Sequence, residues 1–158
     1  MKIYIILLIL FFLDIFSKLY FFMTKPNIKI LPFLTLRFSQ NPGIAFSLFE
    51  GYTLITIFVP LLVLFIILYF FIKEKVYTKK FALGLILIGG ISNLLERIFI
   101  GKVTDFIDFH IKNYHYPTFN LADVYITLGV IFYLLFLYKT NNWKSLTLNL
   151  KNLILSIL

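Results

Sequence analysis

Apolar residues in this chain run in long blocks rather than in the short alternations of half-buried elements. Four blocks, at about 3–23, 53–72, 81–100 and 122–138, reach or approach the ~20 residues a helix needs to cross a hydrocarbon core. The fourth is at the short end of that range. The pattern predicts an all-α membrane protein, a single integral membrane domain over 1–158 with four transmembrane helices. Two longer stretches, 24–52 and 101–121, and a short one, 73–80, join the blocks. Residues 28–39 (IKILPFLTLRFS) intersperse β-formers with polar residues and predict short strands. This places a small β-rich element between helices 1 and 2, and 103–109 (VTDFIDF) looks similar.

Composition agrees with a membrane assignment. The chain is 61% hydrophobic and 14% charged, where a soluble domain averages about 45–50% and about 25%. Its 158 residues contain no cysteine, which removes disulfides, thiolate metal sites and cysteine nucleophiles. The formal net charge is +8, but the lysines flank apolar blocks, so the partners expected are membrane lipids and not nucleic acid. The first block carries Asp14 and Lys18 and lacks an Ala-x-Ala-like cleavage site, so it is read as a retained span. The tail 143–158 (WKSLTLNLKNLILSIL) is either an interfacial amphipathic helix or a frayed apolar end.

Lysine placement sets an expected orientation. The connection 73–80 holds Lys73, Lys75, Lys79 and Lys80, and the tail holds Lys139, Lys144 and Lys151. The longer connections carry only Lys25, Lys29 and Arg37 in one and Lys102 and Lys112 in the other. By the positive-inside bias, 73–80 and both termini are cytoplasmic and the longer connections, with the β-rich element, lie outside. On that orientation Asp14, Lys18, Asn93, Glu96, Arg97 and Asp123 all fall at the midplane or in the outer half. A charge at the bilayer centre costs at least ~2.5–3.5 kcal/mol on insertion scales. Charges gathered at one depth therefore point to a polar cavity opening outward.

Each group also has a purely structural reading. Asp14 and Lys18 are four apart and can pair on one helix face. Asn93, Glu96 and Arg97 can tie helix 3 to its neighbours, with Arg97 bracing carboxylates and Gly89 and Gly90 admitting another backbone. Asn120 can cap helix 4 with Asp123 as its third residue. Asp105 and Asp108 can be solvated loop acids, and His110 and His115 lack metal-site spacing, so they read as loop residues and no metal or cofactor is expected. The pairing of an outer-loop aspartate with Asp123 is more informative. Two close carboxylates share a proton, so one can act as base toward water while the other polarises a carbonyl. The residues alone do not choose Asp105 over Asp108.

Four stretches, in this order, make the chain resemble the lipoprotein signal peptidases (signal peptidase II), bacterial membrane aspartic peptidases. They are Asp14 to Lys18, NPGIAF at 41–46, GGISNLLERIFIGKVTDFIDF at 89–109, and FNLAD at 119–123. The resemblance implies that Asp105 and Asp123 are the catalytic pair, the VTDF context selecting Asp105. It implies that Asn41, Gly43, Asn93, Arg97, Asn120 and Ala122 belong to the site or its support, as Asp14 and Lys18 do. It implies a multi-pass protein of the bacterial cytoplasmic membrane, with both termini cytoplasmic and the active site at the outer face; a monomer is expected, but the sequence does not fix the oligomeric state. The implied substrate is a prolipoprotein carrying diacylglyceryl on a cysteine, cut just before that cysteine. Pro42, Ser47, Ser92 and Glu96 depart from the family's common residues, and Glu96 is expected to alter the support of Arg97. Two other classes stay open: a proton-coupled transporter, which calls for polar residues through the full membrane depth, and a structural subunit, which needs no carboxylate pair.

Overall fold

The structure, a computed structural model, describes residues 2–43, 51–139 and 151–156. Four helices, α1 (Lys2–Thr24), α2 (Thr53–Lys73), α3 (Tyr77–Ile100) and α4 (Leu121–Lys139), are each long and apolar enough to cross a membrane. α3 begins four residues before the apolar block predicts, because Tyr77 to Lys80 form its polar first turn. Of the tail, 151–156 is helical, and the remainder of 143–158 lies outside the described residues.

α3 is the central helix, packing on α4, α2 and α1. Its buried residues include Leu83, Leu85, Leu87 and Leu94. The other helices turn large apolar side chains outward, among them Leu8, Phe16, Phe58, Leu62 and Leu135. Such a surface is stable against lipid tails, where each helix satisfies its own backbone hydrogen bonds. Helix association then depends on close fit. A Cβ at Gly89 would lie 2.5 Å from the Ala122 carbonyl oxygen, so α4 starts directly against the α3 backbone.

The β-rich element is larger than the segment between α1 and α2. β1 (Asn27–Leu31) and β2 (Leu34–Asn41) come from that segment, and β3 (Val103–Ile111) and β4 (Tyr114–His115) from between α3 and α4. They form one antiparallel sheet in the order β1-β2-β3-β4. The two segments read as similar in sequence because they are neighbours in one sheet. Gly101, at φ 78°, ends α3 in the left-handed region and turns the chain into β3. Phe106 stacks on Phe21 at 4.4 Å between ring centroids, seating the sheet on the end of α1. The fold therefore delivers the end of α3, the start of β3 and the start of α4 to one place.

Gly89 and Gly84 test how closely the helices fit. At Gly89 a methyl group meets backbone, which cannot rotate away, whereas at Gly84 it meets the tip of Leu7. Gly89→Ala is expected to destabilise by ~1–3 kcal/mol, the usual overpacking range, and Gly84→Ala by clearly less. Thermal unfolding in detergent checks this. Equal melting temperatures for the two variants would contradict the close α3–α4 approach.

Candidate active site

The site begins with a buried polar cluster among α1, α3 and α4. Asp14 and Lys18 pair at 3.0 Å within α1. Asp14 also accepts from Ser92 Oγ at 2.5 Å and from the Ala122 backbone N–H at 2.8 Å. The second contact satisfies one of the orphan donors at the start of α4. Lys18 donates to Ser92 Oγ at 3.1 Å and to Asn93 Oδ1 at 2.6 Å, and lies 3.5 Å from Glu96 Oε2. With its carbonyl oxygen facing Lys18, Asn93 turns its amide N–H toward Asp123 Oδ1, 2.8 Å away.

Asn120 is fully buried and reaches both carboxylates of interest. Its Nδ2 donates to Asp105 Oδ1 at 2.7 Å. Its Oδ1 accepts from the Asp123 backbone N–H at 2.9 Å, while its own backbone N–H lies 3.2 Å from Asp123 Oδ2. The last two contacts are a reciprocal cap of α4, so the capping reading of Asn120 and Asp123 holds. The cap does not use up Asp105, which sits on β3 and borders the same cavity as Asp123. Burial and then the nearby Asp123 carboxylate push the Asp105 carboxyl up to about 7, against opposing hydrogen bonds from Asn120 and Asn41. A group near neutrality can hold or release a proton at working pH.

The cavity has a volume of about 600 Å³ and a mostly apolar lining. Asn41, Asn93, Arg97, Asp105 and Asp123 are its polar wall, and Pro60, Val124 and Leu128 extend it between the helices. Apolar clefts with a few convergent polar groups are the usual form of a small-ligand or peptide site.

The structure adds partners to two sequence expectations and overturns a third. Arg97 ties α3 to the end of β2, its guanidinium donating to the Gly43 carbonyl at 2.9 Å, and the charges of Asp123, Asp105 and Glu96 also act on it. Glu96 accepts from the Thr104 backbone N–H at 3.0 Å beside Lys18, so its carboxylate is shared between the start of β3 and the charge of Arg97. Asp108 is no solvated loop acid: it is fully buried, held by Arg37 at 2.9 Å and by His115. Asn41 and Gly43 adjoin one another, Asn41 Oδ1 accepting from the Gly43 N–H at 3.0 Å. The rest of the NPGIAF stretch, 44–46, and Ser47 lie outside the described residues. Ser92, in sequence only a departure from the family's common residue, bridges Asp14 and Lys18. A polar residue beside Asn93 in an otherwise apolar helix was the available signal. Among the described residues no group of three or more His, Asp or Glu side chains is arranged to hold a metal ion.

Residues 6–139 match the family Signal peptidase (SPase) II. A lipoprotein signal peptidase of Clostridium novyi is 38% identical over 110 residues, 68% of this chain and 74% of that protein. One from Wigglesworthia glossinidia brevipalpis is 34% identical over 134 residues, 80% and 88% of the two chains. A bacterial membrane enzyme solved by the in meso method at 2.3 Å superposes with a TM-score of 0.79 and 28% identity, covering 89% of each chain.

The raised Asp105 carboxyl has a stability consequence. Its folded value, about 7, exceeds the unfolded 3.8, so between those values only the folded state keeps the proton. Stability from this group is full below about pH 4 and falls until about pH 7. Asp105→Asn removes the titration. At pH 8 the variant is expected to be more stable than the parent, by on the order of 2–4 kcal/mol, and to show no gain at pH 4. Parallel melting-temperature profiles against pH would show that Asp105 ionises without strain.

Proposed function

The chain belongs to the signal peptidase II family, and from that premise we propose that it is an aspartic endopeptidase with Asp105 and Asp123 as its catalytic pair. The family is one of peptidases acting on prolipoproteins, and its helices suit a multi-pass protein of the bacterial inner membrane. The finer reading is that it cuts just before a diacylglyceryl-modified cysteine. The observation that carries the catalytic assignment is Asn120, whose one side chain touches Asp105 and the start of the Asp123 helix, while both carboxyls line one cavity.

In the proposed mechanism the pair holds one proton. The ionised carboxylate takes a proton from water as its oxygen attacks the scissile carbonyl carbon. The protonated partner donates to the carbonyl oxygen, which becomes the hydroxyl of a tetrahedral intermediate. Collapse breaks the C–N bond, and a carboxyl passes a proton to the departing amine. Asn93 and Asn120 fix the rotamers of the two carboxyls, and the Asp14–Lys18 cluster fixes Asn93 and the first turn of α4. No cofactor or metal enters these steps. The apolar stretch of the cavity between the helices suits the acyl chains of a lipidated substrate, and an interfacial depth suits a bond at the end of a signal helix. A monomer suffices, because the groups invoked come from one chain.

This is tested by cleavage of a lipidated prolipoprotein by purified protein in detergent. Asp105→Asn and Asp123→Asn are each expected to lower turnover by at least ~10²–10⁴, the acid–base contribution, while membrane insertion is kept. Asn at 123 can still cap the helix, so a pure capping role predicts near-normal turnover. Asp14→Asn is expected to do less harm than either. Near-normal turnover in Asp105→Asn or Asp123→Asn would overturn the mechanism.

Sidedness is a second part of the proposal. The lysines of 73–80 put that connection and both termini in the cytoplasm and the carboxylate pair at the outer face. A single cysteine at Thr78, an exposed position in the first turn of α3, is expected to resist impermeant thiol reagents in intact cells and react after lysis. Labelling in intact cells would invert the orientation.

A further inference from the structure

β3 carries a second buried acid outside the cavity. Asp108 is 0% exposed, yet both its partners are surface residues. Arg37 Nε, on β2, lies 2.9 Å from Asp108 Oδ2, and the Arg37 side chain is 42% exposed. On β4, His115 Nδ1 lies 2.9 Å from Oδ2 and 3.0 Å from Oδ1, and its side chain is likewise 42% exposed. A carboxylate only accepts, so Nδ1 carries the ring proton. An internal carboxylate left without partners is costly, so three strands are committed to this point.

The strand that His115 holds leads directly into the cavity. β4 is only Tyr114–His115, paired with Ile111 and His110. Tyr116, Pro117, Thr118 and Phe119 follow as one wall of the cavity. Backbone bonds fasten this wall at two points, Tyr116 N–H to the Phe109 carbonyl at 2.8 Å and Phe119 N–H to the Ile107 carbonyl at 3.1 Å. The next residue is Asn120, fixed from three sides by its own bonds. The wall thus has a rigid far end at Asn120 and a near end of two residues, where His115 supplies a side-chain anchor.

We propose that His115 is a positioning residue for substrate binding, which through Asp108 holds the Tyr116–Phe119 wall against the cavity. This rests on the reading that the cavity receives the substrate. The pair sets the width of the cavity near Asp105 without touching the reacting atoms, so its loss weakens binding and leaves the chemical step alone.

The experiment compares His115→Ala with His115→Asn. Asn places an amide N–H close to where Nδ1–H lies, so it keeps the donor that Ala removes. His115→Ala is expected to raise KM for a lipidated prolipoprotein about five- to tenfold, the effect of losing one ordinary hydrogen bond. kcat is expected to change by less than about twofold, and His115→Asn to recover most of the KM. Hydrogen exchange without substrate gives a second readout: the Tyr116 and Phe119 amides exchange faster in His115→Ala, while helix α3 stays protected. An unchanged KM, an equal loss in kcat, or unchanged protection at 116–119 overturns the proposal, as does failure of His115→Asn to recover. The exchange readout uses no catalysis, so it stands apart from failure of the peptidase mechanism, which full turnover by Asp105→Asn would reveal.

Discussion

A carboxylate inside a bundle of apolar helices must find its donors within the protein, and Asp14 is where this chain meets that demand. One oxygen takes the ammonium of Lys18 and the hydroxyl of Ser92. The other takes the backbone N–H of Ala122 at the head of α4. The contact joins α1 to α4 across α3, and Gly89 leaves room for it by letting Ala122 rest on the α3 backbone. Removing a partner would leave an unpaired internal charge, typically a loss of 3–5 kcal/mol. The rest of the polar cluster inherits its geometry from this junction. Lys18 orients Asn93, Asn93 orients Asp123, and Asn120, two residues before Ala122, reaches Asp105.

The cap and the proposed chemistry use the same atoms. Asn120 and Asp123 cap α4 reciprocally, and the cap brings a carboxyl to a helix start facing a strand with another carboxyl on it. A helix N-terminus favours negative charge, and burial beside a like charge disfavours it. These opposed influences suit a pair that holds one proton between two groups. The sheet completes the arrangement from the other side, since β3 carries Asp105 toward the cavity and Asp108 toward Arg37 and His115.

The number of helices, their approximate limits and the presence of strands in both longer connections were legible because each depends on local composition. The Asp14–Lys18 pair was legible for the same reason, being one helical turn apart. The Gly43 carbonyl that Arg97 meets and the Thr104 N–H that Glu96 meets were not legible, because a backbone partner leaves no mark in the sequence. Asp108 was misread as a loop acid because its burial depends on β2 and β4 closing around it. His115 read as a loop residue because the two-residue β4 that brings it beside β3 is too short to leave a pattern.

By itself, the sequence determined that four apolar blocks become helices, that polar groups gather toward one end of them, and which aspartates lie in the family's motifs. Those properties follow from hydrophobic transfer and from spacing along one helix, both of which act over a few turns of chain. Only the tertiary structure decided which polar group meets which. Asn120 finds Asp105, Arg97 finds Gly43 and His115 finds Asp108 only after strands from two distant segments pair into one sheet and α4 settles against Gly89. The reason is physical. With no water to accept or donate in the apolar interior, a buried polar group must turn to whatever partner the packed chain presents, and that partner is set by the fold.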